Sequence, residues 1–556
     1  MSSGQVLRRA VRRHRGRLAL GVFWLSLHQA TEAAVPVAIG VFVDQAVSTG
    51  ELKPLLWCVL MLFALFAVLS NAWKTGARQV VRAIEYETHL LRLEITKRVL
   101  DPRGHQTGMK AGELLSIATS DAEKASLVLR AVSLGFAGTT ALAVSSVALL
   151  LVDVPLGLGV VIGVPLLVLG IQSLSPLLTR RTSSQQAAVA SSTALATDLV
   201  SGLRTLRGIG AQHNAAERYR RSSQATLKAT LRAANTNGLQ DGVTTAAGGL
   251  LLAAVAGVAG WFALNGRITI GEFITVVGLA QFVAEPVGIL GYCGQLAAVA
   301  RASAGRLADV LGSPALIPTG TGVVLDPSQP LLALEKVSYR SLADFSLSLE
   351  AGESLGVLCY DPRDADSLLA ILAGRALPTS GRVVVGGTPV EELDIDLVRR
   401  SLLVEQHDTD LFEGTLRTNL LAGRSATDSS LEAAVSAAAA SDVVAEGLDS
   451  PVADRGRTLS GGQRQRLGLA RALLAEPPVL VLHDPSTAVD AVTEESLASG
   501  LVEARAGLAT LMLTSSPALL GRMHRILVVS EGTVTTNGRH AELANNDPAY
   551  QEAVLR

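Results

Sequence analysis

Leu459-Ser460-Gly461-Gly462-Gln463-Arg464-Gln465-Arg466 is the stretch that decides how this chain is read. A serine and two glycines stand at the start of a helix. A helix start leaves backbone N–H groups bare, and together with the helix dipole such groups can hold a phosphate. A capped surface helix would account for one Ser-Gly pair. It would not account for the whole string and the Ala470-Arg471-Ala472-Leu473 that follows.

Outward from that stretch, composition divides the chain. Its 556 residues predict several domains, and 49% hydrophobic residues with a mean hydropathy of +0.37 are too apolar for an ordinary soluble protein. Apolar runs fill 18–47, 55–73, 128–152, 154–178, 244–264 and 273–299. Each reaches the roughly 20 residues that cross a bilayer as helix. Short connections at Gly50-Glu51-Leu52-Lys53, Asp153 and Asn265-Gly266-Arg267 alternate with two long ones, 74–127 and 179–243, which are helical in pattern and rich in arginine. Arg8, Arg9, Arg12, Arg13, Arg15 and Arg17 precede the first run. Positive residues stay on the cytoplasmic side. The expectation is a multi-pass protein of the cytoplasmic membrane with both termini and both long connections in the cytoplasm, and no cleavable signal peptide.

The net charge of −1 gives no sign of a nucleic-acid partner. Cys58, Cys293 and Cys359 are scattered without metal spacing, so neither a disulfide frame nor a metal site is expected. Polar residues inside the runs are more telling. His28, Gln29 and Glu32 lie in the first, with His28 and Glu32 four apart on one helix face. Gln281 and Glu285 repeat that spacing in the sixth, before Pro286. A carboxylate at the centre of a span costs roughly 2.5–3.5 kcal/mol on insertion scales, so it should face a cavity or a partner. Two readings stay open: these residues line a substrate path, or they pair with helices of another subunit or lie in the wet cytoplasmic part.

From Leu331 onward strands and helices alternate, as an α/β domain requires. The expected domains are a transmembrane domain at 1–308, a Gly-, Pro-, Ser- and Thr-rich linker at 309–330, and a nucleotide-binding domain at 331–556. Leu459 to Arg466 with the helix after it resembles the signature of the ATP-binding cassette (ABC) ATPases. Gly112-Glu113-Leu114-Leu115 with Asp121, Leu203-Arg204-Thr205-Leu206-Arg207 with Gly210-Ala211-Gln212, and Ala302 to Leu307 resemble the intracellular loops and sixth-helix end of the exporter branch. The chain thus resembles an ABC exporter half-transporter. The resemblance implies an α-helical six-span transmembrane domain followed by an α/β P-loop NTPase domain, with ATP and Mg²⁺ as cofactors. It also implies that Ser460, Gly461, Gly462 and Gln463 bind the γ-phosphate of an ATP held mainly by a second nucleotide-binding domain. Gln406 stands at the family's Q-loop, Asp490 at its D-loop and Ala453-Asp454-Arg455-Gly456 at its X-loop.

The rest of the ATPase departs from that pattern. The family's phosphate loop reads G-x-x-G-x-G-K-S/T, its amides wrapping the phosphates, its lysine neutralising them and its hydroxyl holding Mg²⁺. The matching stretch here is Cys359-Tyr360-Asp361-Pro362-Arg363-Asp364-Ala365-Asp366-Ser367. Cys359, Pro362 and Asp364 replace the glycines and Ala365 the lysine, and Pro362 has no N–H to donate. Asp361, Asp364 and Asp366 are expected near the triphosphate. A like-charge pair about 4 Å apart at an effective dielectric of about 20 costs about 4 kcal/mol. His483 replaces the aspartate that orders Mg²⁺, Asp484 the catalytic glutamate and Ser515 the switch histidine, while Arg340 or Ser341 stands where an aromatic would stack adenine.

A homodimer of such chains would have two damaged sites. The resemblance therefore implies a heterodimer with a homologous half-transporter whose phosphate loop and Walker B strand are intact. ATP and Mg²⁺ would be held mainly by that partner, and an amphipathic substrate (a small molecule, lipid or peptide) would be moved outward. Two alternatives remain: an importer on the exporter fold, or a regulatory pseudo-ATPase scaffold.

Overall fold

A computed structural model of the chain describes residues 1–47, 52–172, 175–322, 326 and 328–554. Gly50 and Glu51 of the first short connection lie outside the described residues, as do 173–174 in the fourth apolar run and 323–325 and 327 in the expected linker. The chain falls into two units, 1–96 with 109–312, and 97–108 with 313–556.

The first unit is built of helices. Ser3–Arg13 (α1) opens it, closed at its start by a capping box between Ser2 and Gln5. Arg15–Phe42 (α2), Leu52–Val99 (α3), Val128–Val152 (α4), Val154–Gln172 (α5), Ser175–Ser201 (α6), Gln212–Leu264 (α7) and Ile270–Gly312 (α8) follow. Helices α3 and α7 run for 48 and 53 residues. At about 1.5 Å per residue each exceeds the roughly 30 Å hydrocarbon core more than twofold, so each reaches well beyond a membrane.

Among the described residues four helices are long and apolar enough to cross a bilayer: Leu52–Val99, Ala111–Val152, Gln212–Leu264 and Ile270–Gly312. The sequence runs predict six. The first run forms α2, whose His28, Gln29, Thr31 and Glu32 lower its apolar character. The fourth forms α5, an apolar helix of 19 residues.

Small residues set the packing of these helices, as membrane bundles favour. A Cβ on Gly40 would stand 2.3 Å from the carbonyl oxygen of Gly271, and one on Gly271 would stand 2.1 Å from that of Gly40. The backbones of α2 and α8 therefore touch, and any larger residue at either position would push them apart. Two of the short connections also meet, Arg267 Nε donating to Asp153 Oδ2 at 2.8 Å. Asp121 accepts from Ser303 Oγ at 3.0 Å and from Arg306 Nε at 2.6 Å, tying the first long connection to the end of α8.

The second unit is α/β. Its strands are Leu332–Tyr339 (β1), Leu342–Leu349 (β2), Ser354–Cys359 (β3), Ser380–Val385 (β4), Leu402–Glu405 (β5), Val479–His483 (β6), Ala509–Leu513 (β7), Arg525–Ser530 (β8) and Thr533–Gly538 (β9). An antiparallel sheet runs β2-β1-β4, with the short strand Thr388–Pro389 at its edge. The main sheet runs β9-β8-β3-β7-β6-β5 and is parallel except for β9. Every residue of β7 is buried, and four of the five in β6, as strands covered on both faces require.

Register brings Leu513 beside both Val357 and His483, and Glu405 beside Leu482. The carboxyl ends of β3, β5, β6 and β7 thus share one edge, where open parallel sheets bind ligands. The described part of the expected linker is anchored rather than free: Gly320 and Gly322 donate to the carbonyls of Leu393 and Glu392 at 3.1 and 2.9 Å. Residues 97–108 also pack in this unit, Arg399 donating to the carbonyls of Pro102 and Ala373 at 3.1 and 2.8 Å.

Candidate functional site

The signature begins the helix Gly461–Leu474, and Ser460 is its N-cap. The Ser460 hydroxyl accepts from the Gln463 N–H at 3.2 Å, while Gln463 Oε1 accepts from the Ser460 N–H at 2.9 Å. This box fixes the first turn and leaves the N–H groups of Gly461 and Gly462 ahead of any intrahelical acceptor. Ser460 and Gly461 are exposed and Gly462 is buried. A Cβ on Gly462 would sit 2.4 Å from the carbonyl oxygen of Ala488, whereas one on Gly461 would find its nearest neighbour at 3.7 Å. Gly462 therefore serves close packing within this chain, and Ser460 and Gly461 make the open face.

Two side chains that the sequence reading left without a role hold this helix. Gln465 is buried, donates to the carbonyl of Asp484 at 2.6 Å and accepts from the Ala488 N–H at 3.2 Å. Arg466 donates to Asp442 Oδ1 and Oδ2 at 2.6 and 3.0 Å and to the carbonyl of Ala439. Asp490 caps the helix Ala491–Ala504, accepting from the N–H groups of Val492 and Thr493 at 3.1 Å each.

At the phosphate-loop position only Tyr360 and Asp361 separate β3 from the helix Pro362–Leu372 (α9). The stretch expected to curl around phosphates is already helix. Asp361 is its N-cap, with Oδ1 accepting from the Arg363 N–H at 2.8 Å, and the Asp364 N–H donates to the Asp361 carbonyl at 3.0 Å. Pro362 occupies the first helical position, where a missing N–H costs nothing. The first-turn donors are thus spent within the chain, the Arg363 N–H on the Asp361 carboxylate and the Asp364 N–H on the Asp361 carbonyl. Arg363 pairs with that same group, Nε to Oδ2 at 2.8 Å, which holds the Asp361 carboxyl below its usual range.

The three carboxylates expected to crowd the triphosphate do not act alike, which corrects that reading. Asp364 is buried and its Oδ2 accepts from the Gly532 N–H at 3.0 Å. Asp361 caps α9, and Asp366 lines a cavity at the sheet edge. Ala365, in the lysine position, is packed in the core at 9% exposure. Ser367 donates to the Arg363 carbonyl at 2.7 Å and shares a 3.1 Å hydrogen bond with Ser341. Arg340 lies over the ring of Tyr339 at 5.2 Å. Burial, and the fields of Asp364, Asp484 and Asp361, push the Cys359 thiol up to about 12.

The cavity has a volume of about 320 Å³, and Cys359, Asp366, His407, His483, Asp484 and Ser515 stand on its wall. His407 is the residue that sequence reasoning missed. It follows Gln406 by one position and lines the cavity, whereas the Gln406 carbonyl accepts from Thr409 Oγ1 at 3.4 Å. Nδ1 of His407 lies 3.2 Å from Nδ1 of His483, the rings edge to face at 5.0 Å and 73°. His483 Nε2 is 3.6 Å from Asp484 Oδ2. Burial is the main cause that lowers the His483 pKa, and His407 adds to it against the pull of Asp484 and Asp366. Asp484 takes φ +43°, a conformation aspartate tolerates, and donates its N–H to the Leu513 carbonyl at 2.9 Å. The wall therefore offers imidazoles and carboxylates, without a lysine or an amide cradle.

In the helical unit the polar residues of the first run form one cluster. Gln29 Nε2 donates to Glu32 Oε2 at 3.0 Å, His28 Nε2 lies 3.5 Å from the same oxygen, and His28 Nδ1 is 3.0 Å from the Leu69 carbonyl. Glu285 of α8 is within electrostatic reach of Glu32. Gln281 and Glu285 are exposed.

Known proteins resemble both units of the chain. Residues 18–287 match the ABC transporter transmembrane region and residues 342–487 match the ABC transporter family. Over 98% of its length the chain is 29% identical to a multidrug efflux ATP-binding/permease protein of Mycobacterium tuberculosis, 46% of which it covers. It is also 29% identical to an ATP-dependent lipid A-core flippase of Xanthomonas oryzae pv. oryzae, over 61% of this chain and 60% of that one. The chain thus spans about half the length of the first of these relatives. A solved structure of a bacterial Atm1-family ABC exporter with ATP bound has a TM-score of 0.79 at 20% identity, over 98% of both chains, a likeness of fold. The chain belongs to the ABC transporters: a multi-pass transmembrane region of the exporter fold joined to an ATP-binding cassette.

Proposed function

We propose that this chain is the catalytically silent half of a heterodimeric ABC exporter. Its six spans, with both termini in the cytoplasm, pair with those of a homologous half-transporter in the cytoplasmic membrane. Ser460 and Gly461 dock on the γ-phosphate of an ATP whose Mg²⁺, phosphate loop, Walker B strand and switch histidine belong to that partner. Hydrolysis at this one composite site drives an amphipathic substrate outward.

The observation that carries the reading is the contrast between two helix starts. At Ser460 a capping box leaves glycine N–H groups open. At Asp361 a carboxylate and a proline close the corresponding donors of the chain's own phosphate loop. The relative of roughly double length supports the pairing, since it has room for a second half in the same polypeptide.

The test is ATPase activity of the purified chain with and without its partner. The chain alone should hydrolyse ATP no faster than background, and the pair should turn over at one site. Ser460→Arg should abolish that turnover by placing bulk and charge where the partner-held γ-phosphate docks. Ser460 is exposed and Gly462 is packed on Ala488, so Ser460 gives the cleaner probe. Substantial ATPase from this chain free of any partner would refute the proposal.

A further inference from the structure

We propose that His407 and His483 anchor a transition-metal site at this sheet edge, closed by Asp366, which takes a divalent cation of the zinc class. The separation of the two donors fits. Ligands held at about 2.0–2.1 Å around a tetrahedral ion stand about 3.3 Å apart, and the two Nδ1 atoms are 3.2 Å apart. Asp484 stands behind His483, at 3.6 Å from Nε2. A carboxylate at the far nitrogen of a ligating imidazole orients the ring and raises its basicity. Asp366 shares the cavity wall with both rings, and the cavity has room for an ion and its water.

The chemistry of the donor set selects the ion. Imidazole nitrogen suits zinc, copper and nickel, whereas Mg²⁺ prefers an oxygen shell. Among the described residues no three His, Cys, Asp or Glu side chains are preset around one point. Asp366, exposed on the same cavity wall, would supply the third donor on a change of rotamer. The inference rests on this cavity alone and not on the heterodimer.

The test uses the full chain in nanodiscs, without nucleotide or partner, titrated with Zn²⁺ against a chromophoric chelator and separately with Co²⁺. One Zn²⁺ per chain should bind and survive excess Mg²⁺, and Co²⁺ should give the visible absorption of a tetrahedral site. His407→Ala and His483→Ala should each weaken Zn²⁺ binding at least tenfold. His407 is exposed, so its variant reports on the site even where the His483 variant misfolds. Absence of stoichiometric Zn²⁺ binding, or binding that persists in His407→Ala, would overturn the inference. Neither result bears on the ATPase test, which reads a different activity.

Discussion

Asp484 sits where a catalytic glutamate would hold water, yet its neighbours are His483 and Cys359 rather than a phosphate cradle. Changing Asp484 to Asn should leave the ATPase of the assembled transporter within about twofold, against the 10²-fold or greater loss that removal of a working base causes. Steady-state turnover of the pair checks this. Arg466 and Asp442 work through structure instead. Hydrogen bonds from Arg466 hold the Asp442 carboxyl below its ordinary value of 3.8. A depressed carboxyl adds stability that is present above that value and is lost as pH falls through the lower folded value. Asp442 is more than half exposed, so the pair is worth about 0.2–1 kcal/mol. Asp442→Asn should lower the thermal midpoint slightly at pH 7, and the difference should vanish in strong acid.

At the scale of an element, α9 determines what its own pocket can hold. Its start is built from Asp361 and Pro362, so restoring one side chain does not restore a phosphate loop. Ala365→Lys should fail to confer binding of a fluorescent ATP analogue to the chain alone, and should destabilise it, because position 365 is packed in the core. Asp361→Ala should destabilise the chain by uncapping the helix, read as a lower midpoint of denaturant unfolding. Tight nucleotide binding by the lysine variant would show that the first-turn donors are free after all.

On the scale of the whole molecule, the cluster of His28, Gln29 and Glu32 is the polar feature of a mostly apolar helix. Its hydrogen bonds lower the cost of placing a carboxylate in a membrane, and Glu285 lies within its field. Glu32→Gln or Glu285→Gln should change transport and substrate-stimulated ATPase more than basal ATPase when the pair is assayed in nanodiscs. Equal behaviour of both variants and wild type across substrates would make the two acids structural.

Much of this was legible in the chain itself. The apolar runs, the signature string and the alternation after Leu331 follow from local composition and period, which survive without tertiary contacts. The helix start at Asp361-Pro362 was also legible, as an N-cap followed by proline at the first position. Alignment to a glycine loop hid it. Other features were decided by the fold alone. His407 and His483 lie 76 residues apart and meet because parallel strands bring their carboxyl ends to one edge. Asp364 faces Gly532, 168 residues away, rather than a phosphate. Gly462 is fixed by the Ala488 carbonyl rather than by an open loop. Sequence carries the propensity of a segment, but the direction of a side chain depends on which distant backbone packs beside it, and that contact exists only once the sheet has formed.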